Sequence, residues 1–283
     1  MPAIHFGDLH MHIFISVDIE GVAGVNEALQ GQRGNPEYEV ARRLMTEEAN
    51  AAIRGAFAGG ADAVTVADSH GPMRNMIVDQ LDPRARVVSG RARPLSMIEG
   101  IHAGHAGAVL IGYHAAADNF GVLAHTISGL AFRRIEVNGV RAGEPTLFAG
   151  HAAEIGVPLL AVSGDDRLEA EIAEQFPAAR SITVKRCINA TAAESLSPGE
   201  AREKIEQEVC GAVERAADAV VEAPCRSPLT IDVSFSKQLF ADAAALMPFT
   251  ERTGALDIRF GAGSHAEAIG ILSGFSLMAA ALA

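Results

Sequence analysis

The sequence predicts an α/β protein: a mostly parallel sheet flanked by helices, followed by a smaller C-terminal α+β lobe. Three observations predict it. Short apolar runs of strand length alternate with segments of helix formers, the pattern of βαβ units. Several of these runs end directly on acids, glycines or histidines, as strands do where they feed a ligand-binding edge. After Asp165 and Asp166 the alternation gives way to strands spaced by a long polar helix.

The first run, residues 13–17 (IFISV), is nearly continuously apolar and reads as a central strand buried on both faces. Residues 36–57 carry helix formers with apolar positions at Val40, Leu44, Ala51 and Ala52, and Gly59-Gly60 stops that helix. The next strand, 63–67, runs straight into Asp68, Ser69 and His70. Further strands are expected at 86–88, 109–112, 134–137 and 159–162, with a hairpin at Asn138-Gly139 and a helix around 144–155. In the second part a strand at 181–186 precedes a helix at 198–217, a strand at 229–234, a helix at 237–246, a strand at 256–260 and a last helix. The chain thus divides into an N-terminal arm (1–12), a metal-binding α/β core (13–165) and a C-terminal lobe (166–283).

With 283 residues and 49% apolar content the chain buries a sizeable core. Its formal charge of −12 sets up a field that repels phosphate backbones and anionic headgroups, so neither nucleic acid nor a membrane is expected as a partner. Cys187, Cys210 and Cys225 are odd in number and far apart, which argues against a disulfide framework or a thiolate zinc site and for reduced, cytoplasmic thiols. The stretch 268–283 is weakly polar but shorter than the roughly 20 residues that span a bilayer, and reads as a buried C-terminal helix.

The chemistry gathers at strand ends. In an extended segment, residues two apart project to one side, so Asp18 and Glu20 both point into the crevice beyond the first strand. Two carboxylates there repel each other unless a cation or proton intervenes; helix capping or a loop role is the plainer alternative. His70 and His114 follow later strands and meet the same edge, and His125 follows the glycine-containing loop 119–124. Glu144 opens a helical run before Pro145, where it serves either a site or the helix dipole. Asp18, Glu20 and Glu144 together bring about −3 of charge, which suits two dications rather than one. A pair of dications ~3.5–4 Å apart shares a carboxylate, activates water and polarises a carbonyl, the requirements of metal-assisted hydrolysis.

Rival motifs are weaker. DLHMH at 8–12 offers His10 and His12 in the spacing of metal-dependent phosphoesterases and amidohydrolases, but the apolar strand begins only after His12. The stretch 261–266 (GAGSHA) lacks the third glycine of a dinucleotide fingerprint, and Ser264 with Glu267 reads as a capping box. Asp165 and Asp166 are placed to cap the following helix or to hold a substrate ammonium.

Taken together, SVDIEGVAGV (16–25), MTEEANAAI (45–53), ADSHGPMRNM (67–76), SMIEG (96–100), GYHA (112–115), LAHTI (123–127) and SGDD (163–166) resemble the M55 family of zinc D-aminopeptidases, in order along most of the chain. The resemblance implies a zinc centre of two ions per chain, with Asp18, Glu20, His70, His114 and Glu144 as ligands, Asp18 as the bridge and His125 as the catalytic residue. It implies short peptides with an N-terminal D-residue, such as D-Ala-D-Ala, as substrates, and a self-compartmentalising homodecamer. The chain departs from the family pattern just after Glu144, at Pro145, Thr146 and Phe148. Two other readings stay open: a phosphoesterase using His10 and His12, and a non-enzymatic binding module whose acidic crevice holds a structural cation.

Overall fold

The computed structural model describes residues 11–283, so His10 and most of the arm assigned to 1–12 lie outside the described residues. In chain order the elements are β1 (His12–Val17), α1 (Tyr38–Ala58), β2 (Ala63–Asp68), β3 (Arg86–Val88), β4 (Gly107–Ile111), β5 (Phe132–Val137), β6 (Val140–Arg141) and α2 (Glu144–Glu154). They continue with β7 (Leu159–Asp165), α3 (Asp166–Gln175), β8 (Arg180–Asn189), β9 (Ala192–Ser195), α4 (Pro198–Glu214), β10 (Leu229–Phe235), α5 (Gln238–Ala244), β11 (Thr250–Arg252), β12 (Asp257–Ala262) and α6 (His265–Leu282).

The strands form two sheets. The larger has the order β3-β2-β1-β4-β7-β8-β9 and is parallel except for the last strand, β9. The smaller, β11-β12-β10-β5-β6, is antiparallel. The fold is therefore the expected α/β arrangement with an additional antiparallel sheet. The sheets do not divide the chain at residue 165: β8 and β9 extend the parallel sheet, while β5 and β6 cross to the other one. Both exchanges follow from strand pairing, a long-range property that local periodicity does not carry.

All six residues of β1 are buried, and its alternating faces serve two cores. Ile13, Ile15 and Val17 pack with Ala49, Ala52 and Ile53 of α1 and with Ile205 and Val209 of α4. Phe14 belongs to the opposite core, with Leu147 and Phe148 of α2 and the inner face of the antiparallel sheet. At ~25 cal/mol per Å² of apolar surface, this two-sided burial fixes the strand's register, because a one-residue slip would exchange the two faces.

Among the described residues α6 is the one helix long and apolar enough, by length and composition, to cross a membrane; only 33% of it is buried. The expectation of a buried C-terminal helix therefore needs correcting. One side, with Ala268, Ile269, Leu272 and Phe275, joins the core, while Leu277 and Leu282 remain exposed. Small residues on the free side cost little to expose, and overall apolarity conceals that one-sidedness.

Candidate metal centre

Beyond β1 the sheet order reverses, since β2 lies on one side and β4 on the other; such a switch point opens a crevice at the carboxyl ends. Val17 lies in register with Asp68 and Ile111. Asp18 N then donates to Ile111 O (2.8 Å), and Gly21 N to Gly112 O (2.7 Å). A Cβ on Gly21 would sit 1.9 Å from Tyr113 O, and one on Gly112, whose φ is +69°, 2.3 Å from Asp18 O. Glycine at both positions lets the two backbones touch, and that contact sets the acids of the first loop beside His114.

The structure brings all six candidates together. His70 Nδ1 lies 2.9 Å from Glu20 Oε2 and 3.3 Å from Asp18 Oδ1. His114 Nε2 lies 3.4 Å from Asp18 Oδ2 and 3.4 Å from Glu144 Oε2. Each carboxylate oxygen of Asp18 thus faces a different histidine. His125 stacks on His114 at 4.1 Å between centroids, its Nε2 3.9 Å from Glu144 Oε1. Asp18, Glu20, His70, His125 and Glu144 line a cavity of about 250 Å³ that α6 borders through Ser273 and Ser276.

Backbone carbonyls hold the far nitrogens of the rings. Gly31 O lies 2.9 Å from His70 Nε2, and Ala115 O 3.0 Å from His114 Nδ1. Each carbonyl accepts an N–H from its ring, which turns the lone pair of the other nitrogen toward the acids, as in metal-ligating histidines. His114 Nε2 and Glu144 Oε2 are buried without a hydrogen-bond partner among the described residues. An orphaned imidazole nitrogen facing an orphaned carboxylate oxygen is the donor set a dication would satisfy, so the residues present fit zinc.

Within the residue set the imidazoles and carboxylates compensate one another. Burial opposes charge on Asp18, but the neighbouring His114 and His70 imidazoles outweigh it and hold the carboxyl well below the usual carboxylate range. Burial likewise opposes protonation of His114 and His70; Glu144 beside the first and Glu20 beside the second override it and raise both imidazoles.

The supporting residues were mostly invisible in the sequence. Lys185 of β8, buried, donates to the carbonyls of Glu20, Val22 and Val25. Burial depresses its ammonium to about 8. Glu48 of α1 accepts from Ala23 N at 2.9 Å, and burial pushes its carboxyl up to about 7. Asp68, two residues before a ligand candidate in the sequence, faces the loop instead. It accepts from Met76 N and from Asn75, whose side chain donates to His70 O at 2.6 Å. Leu123 (φ 56°) and Ile127 (φ 62°) flank His125 in the left-handed region, each an outlay of ~1–3 kcal/mol. Ile127 N is held there by Glu144 Oε1 at 2.9 Å.

The described residues of the rival motifs lie elsewhere or serve local structure. His12 is the first residue of β1, at the opposite end of the strand from Asp18, with Nε2 2.9 Å from Thr65 Oγ1. Asp165 caps α3 by accepting from Arg167 N and Leu168 N, and its other oxygen accepts from Val122 N. Ser264 caps α6 through Glu267 N, while Glu267 Oε2 accepts from Gly263 N.

Comparison with known proteins points the same way. The family model of the M55 peptidases, described as D-aminopeptidase, matches residues 11–273. A D-aminopeptidase of Bacillus subtilis (strain 168) is 36% identical over 259 residues, 91% of this chain and 94% of that protein. The solved structure of the zinc-dependent D-aminopeptidase DppA from Bacillus subtilis, described as a self-compartmentalizing protease, superposes with a TM-score of 0.91. It is 34% identical and covers 95% of this chain and 98% of its own.

Proposed function

The chain belongs to the M55 family of D-aminopeptidases, and we propose that it removes N-terminal D-residues from short peptides, D-Ala-D-Ala among them, at a centre of two zinc ions. The observation that carries the reading is the division of Asp18, one oxygen toward His70 and the other toward His114. Glu20 and His70 would hold one ion, His114 and Glu144 the other, with Asp18 shared between them. Zinc, when bound, supplies Lewis acidity that polarises a scissile carbonyl and makes water more acidic.

The chain's own residues do the rest. His125 lines the cavity and is 22% exposed at its side chain, against 1% for His114, so it reaches a substrate where His114 does not. Leu123 O lies 2.9 Å from its Nδ1 and accepts that N–H, which leaves Nε2 to carry a proton to the leaving amine or to steady charge on the carbonyl oxygen. The small cavity limits the substrate to a short peptide. The apolar and small residues on the outer side of α6, close to the cavity, support an assembly of subunits around it, and we extend the homodecamer to this chain. The three thiols are free, which accords with a cytoplasmic enzyme.

The test is zinc analysis combined with hydrolysis of D-Ala-D-Ala and of the D-Ala and L-Ala p-nitroanilides. About two zinc ions per chain with turnover of the D-substrates supports the reading. Full zinc content without peptide cleavage would favour a binding module.

A further inference from the structure

A second group of histidines lies at the other end of the parallel sheet. His12 opens β1, and His102 and His105 sit in the loop that leads into β4. The loop is tied to the strand by Ala106 N, which donates to His12 O at 2.8 Å. The His105 ring is 4.1 Å from that of His12 and 4.1 Å from that of His102, centroid to centroid. Each ring offers one nitrogen, and the three nitrogens lie within 4.8 Å of one another. From Asp18 the cluster is a full strand length away, ~20 Å at ~3.3 Å per residue, so it shares no ligand with the centre described above.

The strongest sign of a ligand is His105. The residue is 4% exposed, and its Nε2 is buried with no hydrogen-bond partner among the described residues. Its Nδ1 lies 3.1 Å from both His102 N and His102 O; in the tautomer that donates to the carbonyl, the lone pair sits on the orphaned Nε2. A backbone carbonyl that fixes one nitrogen and leaves the other bare is the arrangement that orients metal-ligating imidazoles. Leaving such an acceptor buried and unsatisfied is unfavourable, and a cation removes that penalty.

We propose that His12, His102 and His105 bind a divalent transition-metal ion, zinc or a chemically similar borderline cation, that pins the loop before β4 to the start of β1. Three imidazoles, with no carboxylate in the cluster among the described residues, select this class over calcium or magnesium, which require oxygen ligands. Tetrahedral zinc with bonds of ~2.0–2.1 Å needs nitrogen pairs about 3.3 Å apart, so the rings must close in modestly. His102, exposed on the loop, makes that movement. Burial together with the neighbouring His12 drives the His105 imidazole down to about 3, and burial with His102 and Arg86 lowers His12. Both are thus neutral at pH 7, the form that ligates. The positive charge of Arg86 opposes a cation here and sets a ceiling on affinity.

The experiment titrates zinc alone into the zinc-loaded enzyme, counts metal per chain after equilibrium dialysis, and repeats the count with His102→Ala, whose exposed ring can be removed without opening the core. The wild type is expected to take up one equivalent beyond the catalytic complement. His102→Ala should bind that equivalent at least ~10-fold more weakly with peptide hydrolysis unchanged, because one of three ligands is lost. X-ray absorption of the additional zinc should report imidazole nitrogens. The same zinc should raise the thermal midpoint of the wild type and not of the variant. Equal uptake and affinity in the two proteins, or an additional zinc bound by oxygen alone, would overturn the assignment.

Discussion

Lys185 Nζ donates to the main-chain carbonyl of Glu20 at 2.5 Å, although 165 positions separate the two residues. With its bonds to Val22 O and Val25 O, it ties the loop carrying two carboxylate ligand candidates to a strand on the far side of the sheet. Replacing it by methionine keeps the volume and strands three carbonyls, each at ~1–3 kcal/mol. Lys185→Met is therefore expected to lower the unfolding free energy by several kcal/mol and zinc affinity by ~10–100-fold, the usual effect of removing a group that orients ligands. Denaturant unfolding and competition with a chelator measure both, and an unchanged zinc affinity would refute the clamp.

Glu48, beneath the same loop, gives a pH signature. Burial raises its carboxyl from 4.5 to about 7, against the opposing effects of Ala23 N and Lys185. Because the folded value is the higher one, its stabilisation is complete below pH 4.5 and is lost as pH rises through 7. Glu48→Gln keeps an acceptor for Ala23 N and does not titrate. The variant should gain on the wild type by up to roughly 3 kcal/mol between pH 4.5 and 8, at ~1.36 kcal/mol per pH unit. Urea unfolding across that range, with parallel curves as the contrary result, decides it.

Removal of the metal should abolish peptide hydrolysis, and zinc should restore it in the wild type but not in Asp18→Ala, which lacks the carboxylate that faces both histidines. His12→Gln, at the opposite end of β1, should leave turnover intact. Release of phosphate from phosphoesters that depends on His12 would instead revive the phosphoesterase reading.

His125 should separate chemistry from metal binding. His125→Ala is expected to lower kcat by ~10²–10⁴-fold, the range for a positioned proton-transfer group, with the zinc count unchanged. If zinc is lost with the ring, His125 is a ligand, an assignment its place beside His114 and Glu144 makes chemically available.

Gly21→Ala tests the crossing of the β1 and β4 loops. A methyl group 1.9 Å from Tyr113 O must displace backbone rather than a side chain. We expect a loss of ~1–3 kcal/mol or more together with weakened zinc binding, read by thermal unfolding and metal analysis.

The sequence by itself determined the local matters. The apolar run of β1, the helix formers of α1, the Asn138-Gly139 hairpin and the caps at Asp165 and Ser264 are written in adjacent residues, and all appear where periodicity and turn chemistry put them. Asp18, Glu20, His70 and His114 were legible as candidates because strand ends in a parallel sheet converge on one edge. Only the tertiary structure decided how they converge: that Asp18 faces both histidines, that Lys185 and Glu48 hold the loop, that Asp68 supports His70 from behind, and that His12 stands with His102 and His105 instead. Apart from the support of His70 by Asp68 through Asn75, these relations depend on strand order and on side chains 25 to 165 positions apart. No local pattern encodes them, because they exist only once burial has fixed which faces meet.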